Sequence, residues 1–167
     1  MELPEVWLRG PIDNIPALLQ PVAHAIVQSA EEVEKLMYGF PNEKLWMRPA
    51  GVASVGFHLQ HLTGVLDRLF TYARGESLND EQLRYLKTEG TPPNHECTVN
   101  DLVQRFKDQI TVSLERLKHI PETSILSPVS VGRKKLPSTV LGLLFHAAEH
   151  TQRHTGQLLV TVRVLTD

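Results

Sequence analysis

The chain has a single cysteine, Cys97, in 167 residues. An intramolecular disulfide and a thiolate cage for a metal both need more sulfur, so both are excluded, and nothing points to an oxidising compartment. Long apolar runs are missing as well. The stretch from Leu143 to Phe145 is typical of the longest, far short of the roughly 20 residues that cross a bilayer. The first residues include Glu2 and Glu5 and no apolar core, so they do not read as a secretory signal. A cytoplasmic location without membrane attachment is therefore expected. Neither sign of charge dominates: 17 Lys and Arg stand against 19 Asp and Glu, a net charge of −2. Such a balance leaves no electrostatic footprint for nucleic acid, and the short run Arg133-Lys134-Lys135 reads as a solvated turn. Glycine-rich phosphate loops and the Gly-x-Ser-x-Gly nucleophile elbow are absent. No glutamate has a histidine three residues on, which removes the di-iron bundle motif. Thr151 follows His150 where one metalloprotease helix requires Glu.

What remains is an ordinary globular composition, 41% hydrophobic and 22% charged, in a length that suits one domain over residues 1–167. Apolar residues recur at helical spacing almost throughout. A first helix is expected after Pro16, with Leu18, Leu19, Val22, Ile26, Val33 and Met37 along its stripe, a kink or restart at Pro21, and a stop at Gly39 and Pro41. A loop over 40–53 uses Trp46 and Pro49 as packing points. Ser54 caps a second helix reaching Arg74, with Val55, Leu59, Leu62, Leu66, Leu69 and Phe70 inward and Gly75 as its stop. A short helix over 80–87 falls inside the long connection that follows. Thr98 and Asp101 have capping-pair spacing and open a third long helix to His119. After a second connector from Pro121 to Pro137, in which Val129 and Val131 read as an extended piece, Ser138 caps a fourth long helix to Val164. No strand ladder is expected. The class is all-α, a four-helix bundle, with connectors long enough for parallel neighbours.

The informative residues are histidines, eight in all. His146, His150 and His154 stand four apart, and His58 and His61 lie about ninety residues upstream of them. A helix turns about 100° per residue, so a spacing of four returns a side chain to nearly the same face one turn along. His150 and His154 can thus aim both rings at one point, and His61 or His58 can bring a third if the two helices pack together. Three neutral imidazoles with a position left over describe a metal site that still admits water or substrate. His146 extends the row, but each step of four drifts by about 40°, so a lining role fits it better. His24, His95 and His119 read as ordinary helix-surface or loop residues. Gln157, one turn beyond His154, and Arg68, two turns beyond His61, are candidate helpers. No residue stands out as a general base.

Two segments resemble a known family. Ser54-Val-Gly-Phe-His-Leu-Gln-His61, with Trp46 and Pro49 just before it, is similar to the second-helix motif of the DinB-like (YfiT-like) metalloenzymes. Leu143 to Gln157, carrying His150-Thr-Gln-Arg-His154 and then Thr-Gly-Gln, resembles their C-terminal motif. The resemblance covers essentially the whole chain. It implies a bundle of up-down-down-up topology, often a homodimer, holding a divalent ion, commonly zinc or nickel. The implied ligands are His61, His150 and His154, with His58 and His146 outside the set. It further implies an enzyme that activates a low-molecular-weight thiol such as glutathione, mycothiol or bacillithiol, or water, for attack on a small-molecule substrate. A non-catalytic, stress-associated metal-binding bundle is the alternative. DNA chemistry is not implied.

Overall fold

Ser54 accepts a hydrogen bond from the Phe57 N–H at 3.1 Å and opens the helix on which the rest is assembled. A computed structural model describes residues 3–166, so Glu2 lies outside the described residues. Among them, five α-helices form in chain order: α1 (Gln20–Met37), α2 (Val55–Ala73), α3 (Asp80–Thr88), α4 (Val99–Lys118) and α5 (Val140–Thr166). The protein is mostly helical. The helix ends follow their local chemistry. Pro21 sits in the first turn of α1, where its missing N–H is not needed, so it starts this helix and does not kink it. Gly75, at φ +74°, ends α2. The Thr98 and Asp101 side chains each bond the other's backbone N–H, at 3.2 and 2.9 Å, and a second reciprocal cap between Asn79 and Gln82 starts α3.

Two helices, α2 and α5, carry most of the packing. α2 lies against α4, α5 and the short α3, while α1 closes the other side on α4 and α5. Leu59, Leu62 and Leu66 of α2 are fully enclosed, and each such leucine contributes about 1.5–3 kcal/mol relative to exposure. The apolar face expected for α2 is the buried one, and α4 buries Leu102, Phe106, Ile110 and Leu117 while Leu114 is only partly covered. Leu18 departs from its expected place and is 62% exposed. It stands in the 3₁₀ turn Ala17–Leu19 ahead of α1, where the rotation per residue differs and only Leu19 is turned inward.

The second connector corrects the expectation of no strand ladder. β1 (Pro128–Val131) and β2 (Leu136–Thr139) form an antiparallel hairpin with Val129 opposite Ser138 and Ser130 opposite Pro137. Two prolines disguise it. A pair of strands has only edges, so Pro128 and Pro137 need donate nothing to a further neighbour. The turn runs through Gly132 at φ +65° and Lys135 at φ +48°, which puts Arg133 and Lys134 in solvent as expected. Ser138 therefore belongs to β2, and Thr139 takes over the cap of α5, its Oγ1 accepting from the Gly142 N–H at 3.0 Å.

Trp46 lies flat against the start of α2, where Gly56 leaves space for it. A Cβ at Gly56 would run into three carbons of the indole ring. The Gly56 N–H also donates to the Leu45 carbonyl at 2.8 Å, so the loop is held to the helix on both counts. Alanine normally favours a helix interior by about 1 kcal/mol over glycine. Here the sign should reverse: Gly56→Ala is expected to lower stability by about 1–3 kcal/mol through overpacking. Chemical denaturation followed by tryptophan emission checks this, and an unchanged or higher midpoint would contradict the close fit.

Candidate metal centre

The contact of α2 with α5 is where the histidines meet. Phe57 stacks on His61 with ring centroids 5.3 Å apart and planes 11° from parallel, which fixes that imidazole from the α2 side. From α5, His150 and His154 reach across. His61 Nε2 lies 2.9 Å from His150 Nε2, and the His61 and His154 ring centroids are 4.3 Å apart. One ligating nitrogen from each of His61, His150 and His154 falls within 4.8 Å of the others. His58 joins from behind, its Nδ1 3.1 Å from His154 Nδ1. The four rings thus form one cluster, and His58 bonds to a member of the converging set without entering it.

Hydrogen bonds select the tautomers. His61 Nδ1 lies 2.7 Å from Glu89 Oε2, a carboxylate that only accepts, so the proton is on Nδ1 and Nε2 presents a lone pair. Glu89 is held in turn by the Arg68 guanidinium, which donates to Oε1 at 2.5 Å, and both side chains are almost enclosed, at 4% and 9% exposure. Donation from His154 Nδ1 to His58 would likewise leave the His154 Nε2 lone pair free. His150 Nδ1 is buried with no partner. Near-tetrahedral zinc with nitrogens at about 2.0–2.1 Å sets neighbouring ligand nitrogens roughly 3.3 Å apart. The spacing seen here needs only small ring adjustments to reach that. A carboxylate-backed imidazole of this kind is the usual support for a metal-binding histidine. The donor set therefore fits a divalent ion.

Electrostatics favour the unprotonated rings that a metal requires. Burial, followed by the nearby His61, lowers His58 to about 4. Burial first, then His61 and His146, lowers His150 to about 4, and burial with His61, His150 and His58 lowers His154 to about 3.

Of the other histidines, His146 is exposed and pairs with Glu149 at 2.6 Å, His24 lies 3.0 Å from the Gly10 carbonyl, and His119 pairs with Glu115. His95 is exposed. Arg68 reaches the cluster only through Glu89, to which it donates. Gln157 is exposed and lines a cavity of about 650 Å³ together with Val52, His58, Arg153 and Val160. Sequence reasoning missed Glu89, because it stands just past α3, remote from both histidine motifs and without a spacing that ties it to them. Gly64 was missed too. A Cβ there would strike Glu89, Arg68 and the Tyr85 ring, so this glycine makes the room in which the carboxylate reaches His61.

An all-α protein with a cluster of imidazoles between two packed helices is the class that fold and site define. The sequence profile of the DinB superfamily matches residues 25–158, and the chain belongs to that superfamily. The match spans all four clustered histidines and Glu89. No curated protein matches the chain.

Two outcomes follow. Arg68→Ala would leave Glu89 charged and uncompensated in a nearly closed space, and should cost about 3–5 kcal/mol of stability. Equal denaturation midpoints for Arg68→Ala and wild type would show that the pair is not structural. The second concerns pH. Unfolded histidine titrates near pH 6.5, above the folded values of His58, His150 and His154. Below that pH the unfolded chain takes up protons that the folded site refuses, so the contribution is complete above about 6.5 and is lost as pH falls toward 4. Denaturation of chelated protein at several pH values reads this directly, and His58→Phe should flatten the slope.

Proposed function

We propose that His61, His150 and His154 hold one divalent ion, zinc or nickel, and that the protein is a metal-dependent enzyme acting on a low-molecular-weight thiol and a small electrophile. The observation that carries the reading is the convergence of three imidazole nitrogens backed by the Arg68–Glu89 pair. Such an ion supplies Lewis acidity that makes a thiol or water ionise near neutral pH. The chain's own groups do the rest. Glu89 keeps the proton of His61 on Nδ1, and His58 orients His154. The cavity beside His58 offers apolar Val52, Ala53 and Val160 to the electrophile, and Arg153 and Gln157 as donors to a carboxylate of the thiol.

A purely structural ion, as in a stress-associated binding bundle, would be expected to have four protein ligands. His58 is the nearest source of a fourth and is bonded to His154 instead, which supports an open position and hence catalysis. We place the chain as a single domain, a four-helix bundle of up-down-down-up topology. The packing of α1 and α2 each on both α4 and α5 supports that arrangement. Exposed Phe145, Leu159 and Val160 on α5 support a homodimer. No described helix is long and apolar enough to cross a membrane, in keeping with a cytoplasmic location. The near balance of 17 basic against 19 acidic residues supports small molecules over nucleic acid as partners.

Purified protein should carry about one tightly held ion per chain. His150→Ala or His154→Ala should lose it, and Glu89→Gln should weaken it by about 10–100-fold. Full occupancy in a His150/His154 double variant would sink the centre. Conjugation of glutathione or bacillithiol to a haloarene should vanish on chelation and return with the metal. A thiol panel that gives no metal-dependent rate would move the reading to the binding bundle.

A further inference from the structure

The solvent side of α5 carries another group of ligating side chains, two of which the centre described above does not use. His146, Glu149 and His150 occupy positions i, i+3 and i+4, which share one helix face. His146 Nδ1 lies 2.6 Å from Glu149 Oε1, the His146 and His150 ring centroids are 5.1 Å apart, and one ligating atom from each of the three falls within 4.8 Å of the others. In zinc peptidases with the order His-x-x-Glu-His on a helix the two histidines hold the ion and the glutamate is the base, so this group shares with them only the histidine spacing. His150 supplies the second observation. Its Nε2 is turned to His61 at 2.9 Å, while its Nδ1 is buried and unpartnered. Among the described residues only Ser29 Oγ shares that condition.

We propose that His146, Glu149 and His150 form a second, weaker site for a divalent cation, and that it shares His150 with the inner centre. Two imidazoles and a carboxylate suit zinc, nickel or copper over magnesium or calcium. Several features make it weak. All three ligands come from one helix, His146 is 46% exposed, and Arg153 already donates to the other oxygen of Glu149 at 2.6 Å. An incoming ion must break the His146–Glu149 bond and sit near that guanidinium. Sharing also makes the two positions antagonistic. Positive charge at one nitrogen of an imidazole lowers the basicity of the other, and with both positions filled the His150 ring has given up its N–H proton to solvent. Ions in excess should therefore loosen the inner centre and inhibit it. The proposal rests on the reading of His61, His150 and His154 as the inner centre for this antagonism and for the order of filling.

Calorimetric titration of metal-free, full-length protein with zinc chloride tests it. Wild type should take up two ions per chain, the second at least tenfold more weakly. The double variant His146→Ala/Glu149→Gln should lose the weak step and keep the tight one, which also reports that it is folded. His61→Ala should lose the tight step and keep the weak one, and His150→Ala should lose both. A single ion per chain up to millimolar zinc, or a weak step that survives in the double variant, would overturn the outer site. A tight step that survives in His61→Ala, with the weak step still sensitive to the double variant, would overturn the inner reading and leave the outer site standing.

Discussion

Everything near the centre depends on a carboxylate held between a guanidinium and an imidazole where little water reaches it. Glu89 has 4% of its side chain exposed, with Arg68 meeting one oxygen and His61 the other. As an acceptor at His61 Nδ1, Glu89 leaves the Nε2 lone pair in the space where the rings converge. One ion pair therefore determines whether the His61 nitrogen that faces α5 carries a proton or a lone pair. The glycine at position 64 belongs to the same device, since any side chain there would fill the ground that Arg68 and Glu89 occupy.

The burden of polarity falls on α2. His58, Gln60, Arg68 and Thr71 are all buried on it, alongside its leucines. Each has an answer from another part of the chain or from its own helix. His58 meets His154, Gln60 bonds the backbone of Gly90 and Thr91, Arg68 meets Glu89, and Thr71 returns a bond to the Asp67 carbonyl while accepting from Gln82. Three of these answers come from the connection between α2 and α4. That stretch reads as a loop with a short helix in it, but it acts as a polar cover on α2, packed there through Tyr85, whose phenol burial raises to about 12.

Helices and the histidine row could be read directly because local periodicity encodes both. Ser54, Thr98 and Gly75 announce their boundaries within a few residues, and His150 and His154 share a face by spacing alone. What could not be read depends on contacts distant in sequence. The choice between His58 and His61 needs the tilt of α2 against α5, since both fall on the same general face. Glu89 needs the path of a connector. The hairpin carries prolines in both strands, and its partner residues alternate too little to stand out from loop composition. Leu18 failed for a different reason, a local change of helical pitch that hydrophobic spacing does not reveal.

The connection between Gly75 and Cys97 has one more property. Glu89 stands one residue past the end of α3, and the reciprocal Asn79–Gln82 cap pins the start of that helix. Cap and carboxylate are thus joined by a rigid rod of nine residues, and Gln82 bonds Asp67 and Thr71 to anchor one end of the rod to α2. Adding or removing a single residue inside α3 would turn Glu89 by about 100° and shift it by about 1.5 Å. A surface connection usually tolerates changes of length. This one works as a ruler, and its residue count is as much a part of the site as the histidines.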